Sequence, residues 1–341
     1  MKRSFGKYSL WASGALLALL IGVQVYSCVE TITARQSVMP KNFGNFEHVR
    51  DTLPASDKDT PFTFVIVGDT RSKGTFESLA KEIRAANPVF VAILGDWVED
   101  GNADQHAYFR QESAEYNFNC PVFFTPGNHD VDPQHYSLDR FETDYGPSNV
   151  SFVYKDNIFI FIRHLDKRFS NADSLTYLRS LDPTKLASYR NRFVFMHIPP
   201  WVSADIPERH TVDEKEYMQI FEDLHIDYVM AADFHGYNRT RLRGVEYIIT
   251  GGGGSHLHES QGRQFHHALA ITIAPDMFSE RILPMSAQFD LEDWMEMNAV
   301  VYVGPFILEN KIIFVFIDGI LLCLFLLKTM ALHGKHTING Q

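Results

Sequence analysis

Five apolar runs, each ending on polar residues able to hold a cation, constrain this chain more than any other feature. "FTFVIVG" (62–68) leads into Asp69, and "VFVAIL" (89–94) leads through Gly95 into Asp96. "PVFFTP" (121–126) leads to Asn128 and His129, "RFVFMH" (192–197) ends on His197, and "DYVMAA" (227–232) leads to Asp233 and His235. Short apolar runs rich in β-branched and aromatic residues read as strands, here buried on both faces. Helical patterns over 75–86 and 103–116 separate the first three, so this half alternates strand and helix. After about residue 150 the rhythm becomes strand on strand, "NVSFVY" then "NIFIFIRHL", with helices expected over 174–181 and 214–224. Shorter strands follow from 238 to 284, and the expected fold class is α/β.

In open α/β sheets, ligands gather outside the carboxyl ends of the strands. Carboxylates, an amide oxygen and imidazoles meeting there make a mixed O/N site for hard or borderline divalent ions. Singly, each residue has an ordinary structural role. Asp69 or Asp96 after Gly suits a turn or helix cap, His197 before Ile-Pro-Pro suits a core position, and Asn128-His129-Asp130 suits a turn. Asp233 and His235 suit a local hydrogen-bonded pair. Their joint order favours the site. The formal charge of -11 argues against nucleic acid as a partner. Cys28, Cys120 and Cys323 lie too far apart in sequence and environment to build a disulfide framework or a cysteine zinc site.

Read in order, "GDTR", "GDWVEDG", "GNHD", "MHIPPW" and "ADFHGY" resemble the motifs of the calcineurin-like metallophosphoesterases, relatives of the purple acid phosphatases. That family runs GDxH, GDxxxxG, GNH[DE], a lone His and GHxH. "YGPSNVSF" (145–152) and "ITGGGG" (249–254) are also similar to family segments, so the resemblance covers residues 62–285. It implies a four-layer sandwich of two mixed β-sheets flanked by helices. It also implies two divalent metal ions, with Asp96 bridging both, Asp69 and His235 on the first, and Asn128, His197 and Asp233 on the second. Two such cations clamp a phosphoryl group, lower the pKa of a shared water and stabilise in-line displacement. His129 would be the general acid for the leaving oxygen or a phosphate contact. It needs a partner to fix its tautomer, Glu99 by preference or else Asp130. The implied reaction is hydrolysis of a phosphomonoester, phosphodiester or pyrophosphate, with a lipid head group as one possible carrier. An inactive metallophosphoesterase-like scaffold is the alternative.

Two departures from the family pattern stand out. Arg71 occupies the place of a histidine ligand, and a guanidinium has no lone pair to give a cation. It serves either as a clamp on phosphate oxygens or as a salt-bridge partner of an acid such as Asp69 or Glu99. Asp233 replaces the first histidine of the last motif, which hardens that site. Together these changes favour manganese or iron over zinc. His164, Trp201, His256 and His258 are further polar or aromatic positions near the motifs, read as packing or surface residues before substrate contacts.

The ends are apolar. Tyr8–Tyr26 carries no charge and follows Lys2, Arg3 and Lys7; Ile312–Lys328 is shorter and carries Asp318, costly in lipid unless it is paired. A cleaved signal peptide is the rival reading of the first segment, but no small-x-small site follows it. The expected organisation is a membrane anchor over 1–30, a linker over 31–60, a metallophosphoesterase domain over 61–286, a connector over 287–311 and a membrane helix with tail over 312–341. Basic residues outside both apolar segments place the two termini in the cytoplasm and the catalytic domain outside it. A reporter fused after Gln341 is expected to read as cytoplasmic, and an extracytoplasmic signal would overturn the two-span arrangement.

Overall fold

Alternation along the strands decides the layers. In β1 (Phe62–Val67), Phe62, Phe64 and Ile66 join one buried cluster while Val65 and Val67 join another, the period of two that a strand imposes. The remaining strands are β2 (Val91–Ile93), β3 (Val122–Phe124), β4 (Val150–Tyr154), β5 (Asn157–Phe161) and β6 (Asn191–Phe195). They continue with β7 (Tyr228–Ala231), β8 (Tyr237–Leu242), β9 (Val245–Thr250), β10 (His267–Ala274) and β11 (Met277–Pro284). This computed structural model describes residues 2–55, 57–71, 75–209, 211, 213–257, 264–286 and 291–338.

The strands form a five-stranded sheet, β11-β10-β1-β2-β3, and a six-stranded sheet, β4-β5-β6-β7-β9-β8. Both are mixed. β1, β2 and β3 run parallel with β10 antiparallel to β1, and β5, β6, β7 and β9 run parallel with β4 and β8 antiparallel at the edges. The parallel strands therefore open their carboxyl ends along one edge of each sheet, where the motif residues lie.

A phenylalanine-rich layer lies between the sheets. Phe64 stacks on Phe90 at 5.0 Å between ring centroids and meets Phe159 and Phe193 edge-on at 5.5 and 5.6 Å. Offset-stacked and edge-to-face pairs of this kind add to the value of the buried area itself. Outside the first sheet, Leu79 and Ile83 of helix Phe76–Ala86 and Phe109 of helix Ala103–Glu115 close a second cluster. Outside the second sheet, Leu175 and Leu178 of helix Ala172–Ser180 and Phe221 of helix Glu214–Asp223 close a third. Helix, sheet, sheet and helix make the four expected layers. β2 and β3 are shorter than the apolar runs 89–94 and 121–126, yet Leu94 still donates to Val67 and Thr125 to Ile93, so the pairing extends to the loops.

These strands and helices belong to one unit, Ser37–Asp293; Met1–Gln36 and Trp294–Gln341 form another. In the second unit, helix Lys2–Gln36 and helix Lys311–Ile338 contain segments, Tyr8–Gln36 and Lys311–Ala331, long and apolar enough to cross a membrane. Their polar residues meet in antiparallel register. Lys328 Nζ donates to Ser13 Oγ at 2.8 Å and to Ser9 Oγ at 3.0 Å, and Gln24 Nε2 donates to Asp318 Oδ1 at 3.1 Å. Asp318, the costly residue of the sequence reading, thus has a partner. Nearer the other end of the pair, Thr31 Oγ1 donates to the Ala299 carbonyl at 3.1 Å.

Because Phe64 touches four phenylalanines across the intersheet layer, its truncation leaves a cavity that neither sheet can close. Phe64→Ala is expected to cost about 3–5 kcal/mol. Denaturant unfolding checks this, and a loss below about 1 kcal/mol would contradict the layer's role.

Candidate metal centre

At the carboxyl edge the backbone leaves its ordinary conformations. Asp69, Arg71, Asp96 and Asp233 have φ of 58°, 45°, 56° and 63°, in the left-handed region that side chains disfavour. Each sits in a turn that follows a strand and aims its side chain inward. The turns are tied within and between the sheets: Asp69 N–H donates to the Gly95 carbonyl at 2.9 Å within the first sheet, and Asp233 N–H donates to Asp69 Oδ2 at 2.9 Å across to the second. Two glycines make the approach possible. Gly95, at φ 89°, leaves no room for a Cβ beside the His197 ring, and a Cβ on Gly127 would run into Asp96 Oδ1.

Asp130 binds two of these turns together. One of its carboxylate oxygens accepts from the N–H of Asp96 and Gly127, both at 2.7 Å, and the other accepts from Trp97 at 2.9 Å and Val98 at 3.3 Å. Burial and the Asp96 charge push its pKa up to about 7, against the pull of these donors. Its backbone carbonyl also accepts from buried His106, whose other ring nitrogen lies 2.7 Å from Tyr145 Oη. Burial pushes His106 down to about 3, so it is neutral at physiological pH. Asp130 is therefore a brace rather than a partner of His129.

The three site histidines share one device. His197 Nδ1 donates to the Leu94 carbonyl at 2.6 Å, His235 Nδ1 to the His256 carbonyl at 2.6 Å and His129 Nδ1 to the Glu99 carbonyl at 2.5 Å. A carbonyl can only accept, so each Nδ1 carries hydrogen and each neutral ring has its lone pair on Nε2. In place of the expected carboxylate, His129 meets the backbone oxygen of Glu99. Its carboxylate turns to Arg71, because the strand-to-helix turn presents the main chain to the imidazole.

The Nε2 atoms point to carboxylates in two groups. His235 Nε2 lies 3.4 Å from Asp69 Oδ1. His197 Nε2 lies 3.2 Å from Asn128 Oδ1, 3.3 Å from Asp96 Oδ1 and 3.9 Å from Asp233 Oδ1. Ligand atoms of Asp69, Asp96 and His197, all fully buried, fall within 4.8 Å of one another. His129 sits at the rim, with Nε2 3.9 Å from Asp96 Oδ2 and its N–H on Asp96 Oδ1 at 2.9 Å. It also lines a cavity of about 430 Å³ with Asp100, Asn102, Asp132 and Arg168.

This donor set fits divalent cations. Buried Asp69 Oδ1 has no hydrogen bond of good geometry, although burial raises the cost of its charge. Burial would hold His197 neutral, but Asp96, Asp69 and Asp233 push it up to about 10. Three carboxylates thus crowd one imidazole, and such a concentration of acidic groups suits a cation.

Arginines already answer part of it. Arg71 Nη2 meets Asp96 Oδ2 at 3.0 Å and Nη1 meets Glu99 Oε1 at 3.3 Å, so of the two roles weighed for Arg71 the structure contains the salt bridge, with Asp96 in place of Asp69. Burial would lower its pKa, but these carboxylates hold it higher still. Arg209 forms a second pair outside the motifs: Nε meets Asp233 Oδ2 at 2.5 Å and Nη2 meets Oδ1 at 2.8 Å. Nothing in the run "IPER" signals that contact, because Asp233 lies 24 residues further along the chain. Arg168 Nη2 donates to the Asn128 carbonyl at 2.5 Å. Among the other positions, His164 is buried with Nδ1 on the Ile198 carbonyl at 2.7 Å, and Trp201 is exposed. His256 contributes its carbonyl to His235, and His258 lies outside the described residues.

The fold is similar to those of solved phosphatases. A purple acid phosphatase from yellow lupin (Lupinus luteus) seeds is 16% identical with a TM-score of 0.52, over 70% of this chain and 56% of that one. A dimetal phosphatase from Danio rerio is 12% identical with a TM-score of 0.50, over 66% of this chain and 99% of that one. PhoD is 11% identical with a TM-score of 0.51, over 70% of this chain and 69% of that one. No curated protein matches the chain. Residues 62–237, from the first strand through the last histidine motif, match the calcineurin-like phosphoesterases, and the chain belongs to that family.

Proposed function

We propose that this protein is a metal-dependent phosphoester hydrolase, a variant of its family with a GDxR first motif and a DxH last motif. The observation that carries this reading is the set of carbonyl-oriented imidazoles, His129, His197 and His235, turned toward buried Asp69, Asp96 and Asp233. Asp69 and His235 would hold one divalent ion, Asn128, His197 and Asp233 a second, and Asp96 both. When bound, such ions supply positive charge to phosphoryl oxygens and an activated water. Manganese or iron suits this oxygen-rich set better than zinc.

The chain's own groups do the rest. His129, at the rim of the cluster and in the wall of the adjoining cavity, would act as the imidazolium, giving its Nε2 proton to the leaving oxygen while the Glu99 carbonyl holds its Nδ1 proton. Glu99 therefore acts on His129 through its backbone and on Arg71 through its carboxylate. Arg71 neutralises Asp96 and places positive charge beside the phosphoryl group. The substrate is a phosphomonoester, phosphodiester or pyrophosphate. The two apolar helices would anchor the protein in a membrane, with the catalytic domain extracytoplasmic and a lipid head group among its candidate substrates.

One observation favours a second reading, an inactive scaffold. Arg71 and Arg209 hold the very carboxylates, Asp96 and Asp233, that would ligate the ions. Metal content of the pure protein separates the two, since fewer than about one ion per chain favours the scaffold.

Full-length protein in detergent is expected to hydrolyse a chromogenic phosphoester only with added Mn²⁺, and Asp96→Ala to abolish turnover. Absence of metal-dependent turnover on mono-, di- and pyrophosphate esters would overturn the hydrolase. If His129 is the acid, His129→Gln slows an alkyl ester by about 10²–10⁴ and a p-nitrophenyl ester far less. Equal losses on both would reassign it to phosphate binding.

A further inference from the structure

The Arg209–Asp233 pair is built differently from the other ion pairs at the site. Arg209 approaches from the loop after β6, and its side chain is 47% exposed, whereas that of Asp233 is 4% exposed. The contact is a two-pronged fork, Nε on Oδ2 and Nη2 on Oδ1, so both carboxylate oxygens are taken. Oδ1 is also the Asp233 oxygen 3.9 Å from His197 Nε2, which in turn lies 3.2 Å from Asn128 Oδ1. The oxygen that completes the second donor group is thus the one the guanidinium occupies. Arg71 differs, since its side chain is only 13% exposed and it is shared between Asp96 and Glu99.

Resting on the metal reading given above, we propose that Arg209 and a divalent cation are alternative occupants of Asp233, so that loading the second ion releases the arginine. A guanidinium cannot ligate a cation, and two like charges on one buried carboxylate repel strongly where the dielectric is low. Without either occupant, Asp233 would be a buried, unpaired charge, the costly state that the arginine prevents. A neutral histidine at this position would need no such partner; the carboxylate does, and the loop provides one. Because Arg209 is half exposed, its release costs little burial, which suits it to leave while Arg71 stays. Competition of this kind is reciprocal: the cation weakens the ion pair by the factor by which the ion pair weakens the cation.

The test is calorimetric titration of the full-length protein with Mn²⁺ in detergent, alongside Arg209→Gln and Arg209→Lys. The wild type is expected to bind one Mn²⁺ tightly and a second more weakly. Arg209→Gln should tighten the weak step by about tenfold or more and leave the tight one unchanged, with Arg209→Lys in between. In an Asp233→Asn background, Arg209→Gln should no longer tighten either step. Unchanged or weaker Mn²⁺ binding by a natively melting Arg209→Gln would overturn the competition and leave the hydrolase standing. Failure of both wild type and Arg209→Gln to bind any Mn²⁺ would overturn the metal reading and the competition with it.

Discussion

Asp96 is a fully buried carboxylate at the junction of both sheets, and much of the site is arranged around it. Its Oδ1 accepts the His129 N–H and faces His197, its Oδ2 takes Arg71, and its own N–H is held by Asp130. A carboxylate so far from water is tolerable only when every side of it meets a donor or a cation. The imidazoles and arginine keep it ionised despite burial, with its pKa held below the usual carboxylate range. The same demand explains the left-handed turns at Asp69, Arg71 and Asp233, since extended backbone would carry these side chains along the sheet instead of into the junction.

Those turns cost of order 1–3 kcal/mol each, and the surrounding structure must over-determine them. It does so from two directions. The phenylalanine layer fixes the strands that deliver the turns, and Asp130 ties the loops of Asp96 and Gly127 into one body. The carbonyls of Leu94, Glu99 and His256 then fix the imidazole tautomers with main-chain atoms, which a side-chain substitution elsewhere cannot remove. Rigidity of this kind serves electrostatics, because dipoles and charges set in advance need not reorganise when a charged ligand arrives.

The two arginines set the charge balance of the site. Arg71 compensates Asp96, and Arg209 compensates Asp233. Without its partner, either carboxylate would be an uncompensated charge in a dry site. Asp233 and Arg209 are 24 residues apart in sequence and directly paired in space. The pair joins two positions that no single motif contains.

By itself the sequence determined the layers and the edge on which the chemistry lies. Alternating aromatic residues in runs such as "FTFVIV" can satisfy two buried faces only as central strands, and parallel strands must end together. That Asp69, Asp96, Asn128, His129, His197, Asp233 and His235 lie near one edge was legible because each falls within five residues after a strand end. Tertiary structure alone decided their partners. A carbonyl's availability to an imidazole depends on where a turn leaves its backbone, so Glu99 met His129 through its main chain and Arg71 through its side chain. Arg209 was illegible for the same reason: an arginine in a long loop reaches whichever buried charge the packed layers place within its length.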